Sequence, residues 1–111
     1  MKVLITQMDI PPPTLAGAAG NIVAQPGGQD GATELQARFN IVTNVASGTG
    51  VRLKNILGNQ QQVINRGAFP LAVYPPDGTE IEGYGLNLPE TISVGANATF
   101  TYDSATTWYV T

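Results

Sequence analysis

Glu80 and Glu82, two residues apart, are the first pair in this chain that could do chemistry. On an extended strand side chains repeat every two residues, so both carboxylates would leave one face. Such a pair could act as acid and base on a glycosidic bond, or hold a cation weakly. The same spacing also makes a solvated strand face that resists edge pairing, and this is the first reading here. Asp77 beside Gly78 reads as a turn residue, Asp103 as another, and Asp30 sits in a glycine-rich stretch. The 111 residues include no histidine and no cysteine. That removes Ser-His-Asp and Cys-His catalysis, thiolate metal sites and disulfides. No phosphate-binding P-loop, no GxGxxG and no DxDxDG calcium loop occurs. The expectation is a non-enzymatic chain with no catalytic residue, no metal and no cofactor.

The remaining chemistry is recognition. Tyr74, Tyr84 and Tyr109 could stack on sugars, since tyrosine offers an apolar face and a polar tip, though aromatics in a small β domain serve more often in the core or at interfaces. Asn97-Ala98-Thr99 has the N-glycosylation pattern, and is read here as turn chemistry. Only 12% of the residues are charged, while 42% are hydrophobic. Asn, Gln, Thr, Ser and Gly take the place of the missing charges. Such a surface suits close approach to another protein, because few charges must be desolvated. A net charge of −3 and five scattered basic residues (Lys2, Arg38, Arg52, Lys54, Arg66) argue against nucleic acid as a partner. No run approaches 18 apolar residues, so no membrane-spanning helix and no membrane partner are expected. The apolar run before Asp9 is too short for a signal-peptide core, so the chain is expected to be made in the cytoplasm.

The elements that would position these groups are strands. Short β-branched and aromatic runs occupy residues 39–43, 51–53, 61–65, 69–74, 79–82, 91–94, 98–102 and 106–110. Turn signals separate them, the strongest being Pro75-Pro76-Asp77-Gly78, where proline presets φ and glycine accepts φ > 0. This spacing predicts an all-β fold: a small antiparallel β-sandwich or jelly-roll-like barrel. No internal repeat of 20–50 residues is visible, which argues against a solenoid or propeller. Alternation places Phe100 and Tyr102 on one face of a strand, and Trp108 and Val110 on one face of the last. Phe100 and Trp108 are the expected closure of the core.

The first third differs. Residues 2–6 form a plausible strand, followed by Pro11-Pro12-Pro13, which favours a stiff polyproline segment. Residues 14–20 are small and apolar, 25–31 are a turn-rich linker, and 33–37 could make one helical turn. The expected division is an extended N-terminal arm over residues 1–37 and a β-sandwich domain over 38–111. Leu4, Met8, Ile10, Pro11, Pro12, Pro13 and Leu15 are the candidate partner-binding residues, because so much apolar surface broken by prolines is hard to bury in a regular element.

Residues 38–111 carry an ordered series of weak motifs. These are Gly50-Val51-Arg52-Leu53, Val63-Ile64-Asn65-Arg66-Gly67, Leu71-Ala72-Val73-Tyr74-Pro75-Pro76-Asp77-Gly78-Thr79-Glu80-Ile81, and a closing pair from Ile92 to Tyr102 and Thr107-Trp108-Tyr109-Val110. Together they resemble a module of small virion proteins and fibre proteins of tailed bacteriophages. The resemblance implies a role on the virion surface. Combined with the low charge and the stiff arm, it points to a capsid decoration (cement) protein on the outer surface of the phage head. The expected partners are the major capsid protein and further copies of the chain, as a homotrimer. The alternative is a fibre or adhesion module that binds host glycan or receptor.

Overall fold

The computed structural model describes residues 15–56, 58–103 and 106–111. Within them lie eleven strands and one four-residue helix. Seven strands form one sheet in the order β1 (Ala16–Val23), β3 (Ala37–Asn44), β5 (Gln60–Asn65), β10 (Asn97–Tyr102), β11 (Thr107–Val110), β7 (Glu80–Ile81), β8 (Gly85–Leu86). Four form a second sheet in the order β2 (Thr33–Glu34), β4 (Gly50–Arg52), β6 (Leu71–Tyr74), β9 (Glu90–Ile92). The helix α1 (Gly28–Gly31) joins β1 to β2. The fold is all-β, as the turn spacing predicts.

The expected antiparallel arrangement is corrected. Five of the nine strand pairings are parallel. The first six strands alternate between the sheets, so each short link crosses from one sheet to the other instead of reversing within one. Paired residues on successive coils lie 21 apart (Ala16↔Ala37), 23 apart (Phe39↔Gln62), 18 apart (Thr33↔Val51) and 22 apart (Gly50↔Ala72). The chain therefore winds like a two-sided coil with no sequence repeat to announce it. β10 then inserts antiparallel to β5, and β11 pairs antiparallel with β10.

Buried amides make the corners possible. A link between sheets leaves backbone groups without ladder partners, and these must be satisfied when buried. Gln61, fully buried, accepts from Lys54 N and donates to Lys54 O, both at 2.9 Å. Asn65, also fully buried, donates to Phe69 O (2.9 Å) and Ile92 O (3.0 Å), while its Oδ1 accepts from Gly67 N (2.9 Å). Each amide closes one end of β5. Gly50 is set by packing: a Cβ there would sit 2.7 Å from Ala72 O.

One core takes residues from both sheets. Val42, Val63, Ile81, Phe100, Tyr102 and Trp108 face it from the larger sheet, and Val51, Leu71, Val73 and Ile92 from the smaller. Phe100 and Trp108 are fully buried, and Val110 packs against the core. Tyr102 and Trp108 are direct cross-strand partners. Their rings stack with centroids 4.5 Å apart and planes 7° apart.

The division at residue 37 is also corrected for the described part of the segment. β1 pairs with β3 along its length, and β2 pairs with β4. Ala24, Ala32, Leu35 and Ala37 are buried. β1 is thus part of the larger sheet and β2 part of the smaller. Residues 33–37 make no helical turn, since Thr33 and Glu34 are strand, and the single turn of helix falls inside the stretch read as a linker. The physical reason is that β3 and β4 offer open edges. Ladder bonds to them outweigh the poor strand propensity of an Ala/Gly segment. Leu4, Met8, Ile10, Pro11, Pro12 and Pro13, and the expected strand over 2–6, lie outside the described residues. Leu15 is half-buried just before β1.

Candidate binding surfaces

Two surfaces stand out, on different strands of the larger sheet. The first is a groove of about 420 Å³ across the outward face of β3, β5 and β10. Its walls are Arg38, Gln60, Gln62, Thr99 and Thr101, with the Gly58-Asn59 turn at one end. Ladder register brings these distant residues together, pairing Gln62 with Thr99 and Gln60 with Thr101. Tyr109 lies opposite Thr101 on β11. The turn is pinned by Gly58 N donating to Tyr102 O (2.9 Å) and Tyr102 N donating to Asn59 O (3.2 Å). Amides and hydroxyls supply donors and acceptors, and Arg38 supplies a positive charge. No carboxylate lines the groove. The arrangement can hydrogen-bond a hydroxyl-rich ligand but presents no acid–base pair.

The second surface is an exposed apolar row. Tyr84, Leu86 and Leu88 are 46%, 61% and 53% exposed, a cluster within five residues. Three exposed apolar side chains this near in sequence are more than the scattered leucine of an ordinary surface, and are a candidate contact site. Asn87, between Leu86 and Leu88, takes a left-handed conformation with φ 63°. Asn87 N donates to Thr79 O (2.9 Å), and its Oδ1 accepts from Gly78 N (2.8 Å) and from Gln29 Nε2 (3.1 Å). Gln29 Nε2 also donates to Pro75 O (2.7 Å), and Arg52 donates to Gln29 O (2.9 Å). The helix α1 is thereby tied to Pro75, Asn87 and Arg52. A rigid patch loses little freedom on binding.

Glu80 lies in β7 and Glu82 in the turn that follows it, so the strand that would carry both carboxylates stops between them. Glu80 and Glu82 flank the buried Ile81, Glu80 half-buried and Glu82 exposed, and neither borders the groove. Among the described residues no group of three or more His, Cys, Asp or Glu could hold a metal ion. Of the three tyrosines read as possible sugar platforms, Tyr84 is exposed, Tyr74 and Tyr109 are half-buried, and none lines the groove. Asn97 opens β10, and its Oδ1 accepts from Gln62 Nε2 at 3.4 Å. Sequence reasoning missed Arg38, Gln60, Gln62, Thr99 and Thr101 as a group. It also missed the Tyr84-Leu86-Leu88 row, whose alternating spacing was the available signal.

Glu90, at the edge strand β9, has its carboxyl raised above the usual range by burial, partly offset by a hydrogen bond with Tyr84. The native state therefore holds this proton more tightly than the unfolded chain does. Stability from the neutral form is fully present below the unfolded value and is lost as pH rises through the folded one. Glu90→Gln is expected to flatten the stability profile from the ordinary glutamate range upwards, measured by urea denaturation from acid to neutral pH. An unchanged slope would show that Glu90 is not the group responsible.

No protein-family model, no curated protein and no solved structure matches this chain.

Proposed function

We propose that the chain is a structural, non-enzymatic module of a bacteriophage particle: a capsid decoration protein on the outer surface of the assembled head. In this reading the two sheets over one core form a β-sandwich. The observation that carries it is the exposure of Tyr84, Leu86 and Leu88, close together in sequence, on a domain poor in charge. Such residues suit docking on protein, and the resemblance of the sequence motifs to phage virion modules points to the major capsid protein. Leu4, Met8, Ile10, Pro11, Pro12, Pro13 and Leu15 add a second contact from the N-terminal side. Binding only to the assembled shell stabilises it by mass action, and a homotrimer suits three-fold lattice positions.

The groove favours a second reading, a fibre or adhesion module that binds a host glycan. One pair of measurements separates the two. Full-length protein and the double variant Leu86→Asp/Leu88→Asp are co-sedimented with particles lacking the protein, and both are applied to a glycan array. Decoration predicts at least a tenfold loss of particle binding by the variant, equivalent to about 1.4 kcal/mol, with the near-ultraviolet signal of Trp108 unchanged. Undiminished sedimentation would overturn docking through this row. Glycan binding that survives the double variant and disappears in Arg38→Ala would establish the second reading.

A further inference from the structure

The groove on β3, β5 and β10 has a chemistry narrower than hydrogen bonding alone. Its volume of about 420 Å³ falls in the usual range of small-molecule sites, about 300–1,000 Å³. Such sites are mostly lined by apolar side chains. Among the described residues this one has no apolar wall. It offers the amides of Asn59, Gln60 and Gln62, the hydroxyls of Thr99 and Thr101, the backbone of Gly58, and a single charge on Arg38. An apolar ligand would leave all of these groups desolvated and unpaired.

Ladder register sets the spacing. Gln62 pairs with Thr99, and Gln60 with Thr101. Residues two apart on a strand stand about 7 Å from each other, and neighbouring strands about 5 Å. Four side chains that can both donate and accept thus occupy the corners of a small rectangle. That arrangement suits a ring carrying hydroxyls on several sides. Charge then differs across the strands. Arg38 is exposed on β3, and among the described residues no carboxylate forms an ion pair with it. Asp103 follows the end of β10, which β5 separates from β3, and it does not line the groove. The β3 side is therefore the side for an anion.

We propose that the groove binds an acidic saccharide, with the ligand's carboxylate on Arg38 and its hydroxyls on Gln60, Gln62, Thr99 and Thr101. The inference rests on the second reading above, in which the groove is a ligand site, and adds the ligand's charge to it. A guanidinium meets a carboxylate through two parallel charge-assisted bonds, a contact that a neutral sugar cannot make. A nucleic acid would need several cations along its phosphates, and the groove holds one. The chain as a whole carries a net charge of −3, so an acid is selected by this local contact and not by long-range attraction.

The test is a titration of the full-length, ¹⁵N-labelled chain, followed by nuclear magnetic resonance, with a trimer of galacturonic acid and with the matching neutral trimer of galactose. The acid is expected to shift the side-chain amide signals of Gln60 and Gln62 and the backbone amides of Thr99 and Thr101. It should bind about tenfold or more tighter than the neutral trimer. Arg38→Gln should remove that preference. Arg66→Gln, which takes away an exposed arginine outside the groove, should leave it intact. Equal binding of both trimers in the groove would overturn the inference and leave the second reading standing. A preference that survives Arg38→Gln in a folded variant, or shifts confined to residues elsewhere, would overturn it as well. No shift with either trimer at millimolar concentration would overturn both the inference and the reading beneath it.

Discussion

Trp108→Ala is expected to destabilise the fold by about 3–5 kcal/mol, the range for truncating a large core aromatic. The indole is fully buried between the two sheets and is the largest side chain so placed. It also stacks on Tyr102 at 4.5 Å, a contact worth about 0.5–1.5 kcal/mol beyond the area it covers. A domain of this size is typically stable by only about 5–15 kcal/mol, so the variant would sit near the edge of folding. Trp108→Phe provides the contrast. The indole Nε1 is buried with no hydrogen-bond partner among the described residues, and removing that donor offsets part of the lost packing. The phenylalanine variant should cost less than about half as much as the alanine one. Urea denaturation of all three proteins measures both differences. An alanine variant within about 1 kcal/mol of the parent would mean that Trp108 does not anchor this core.

The same two strands show which parts of the fold were legible. In β10 and β11 Phe100, Tyr102 and Trp108 fall on one side of a period of two, and the structure buries that side. Pattern and packing agree because the inward face is apolar and the outward face is Thr, Asn and Tyr. β1 gave no such signal. Its alanines and glycines have weak strand propensity, and the segment is a strand because β3 supplies a ladder. Parallel pairing was hidden for a different reason. Short links between strands suggest hairpins, yet the links after β3, β4 and β5 cross between sheets. The clue was polar: Gln61 and Asn65 lie in phase with Val63, so inward alternation places amides in the core, and amides are what the corners need. The groove could not be read at all. Its walls come from β3, β5 and β10, which only the ladder registers bring side by side.

Those corner amides carry the second large effect. Asn65→Ala is expected to cost about 3 kcal/mol or more, because it leaves three buried or half-buried backbone groups without their partner, each worth on the order of 1 kcal/mol or more when unsatisfied. The groups are Phe69 O, Ile92 O and Gly67 N. They belong to the β5–β6 link and to β9, so one side chain ties a corner of the larger sheet to the edge of the smaller. The link has no slack with which to adapt. A Cβ on Gly67 would lie 2.5 Å from the Val45 side chain, so this corner packs directly against the preceding one. Asn65→Asp separates the roles of the two ends of the amide. The carboxylate can still accept from Gly67 N, but it faces two carbonyl oxygens where Asn65 donates. Its proton is therefore held more tightly in the folded state. The variant should be strongly destabilised at neutral pH and should recover part of the loss as the pH falls towards about 4, where the protonated acid can donate once. Denaturation of the alanine and aspartate variants at neutral and acid pH tests both statements. An alanine variant within about 1 kcal/mol of the parent, or an aspartate variant with the parent's pH profile, would show that the corner is held by backbone packing and not by this amide.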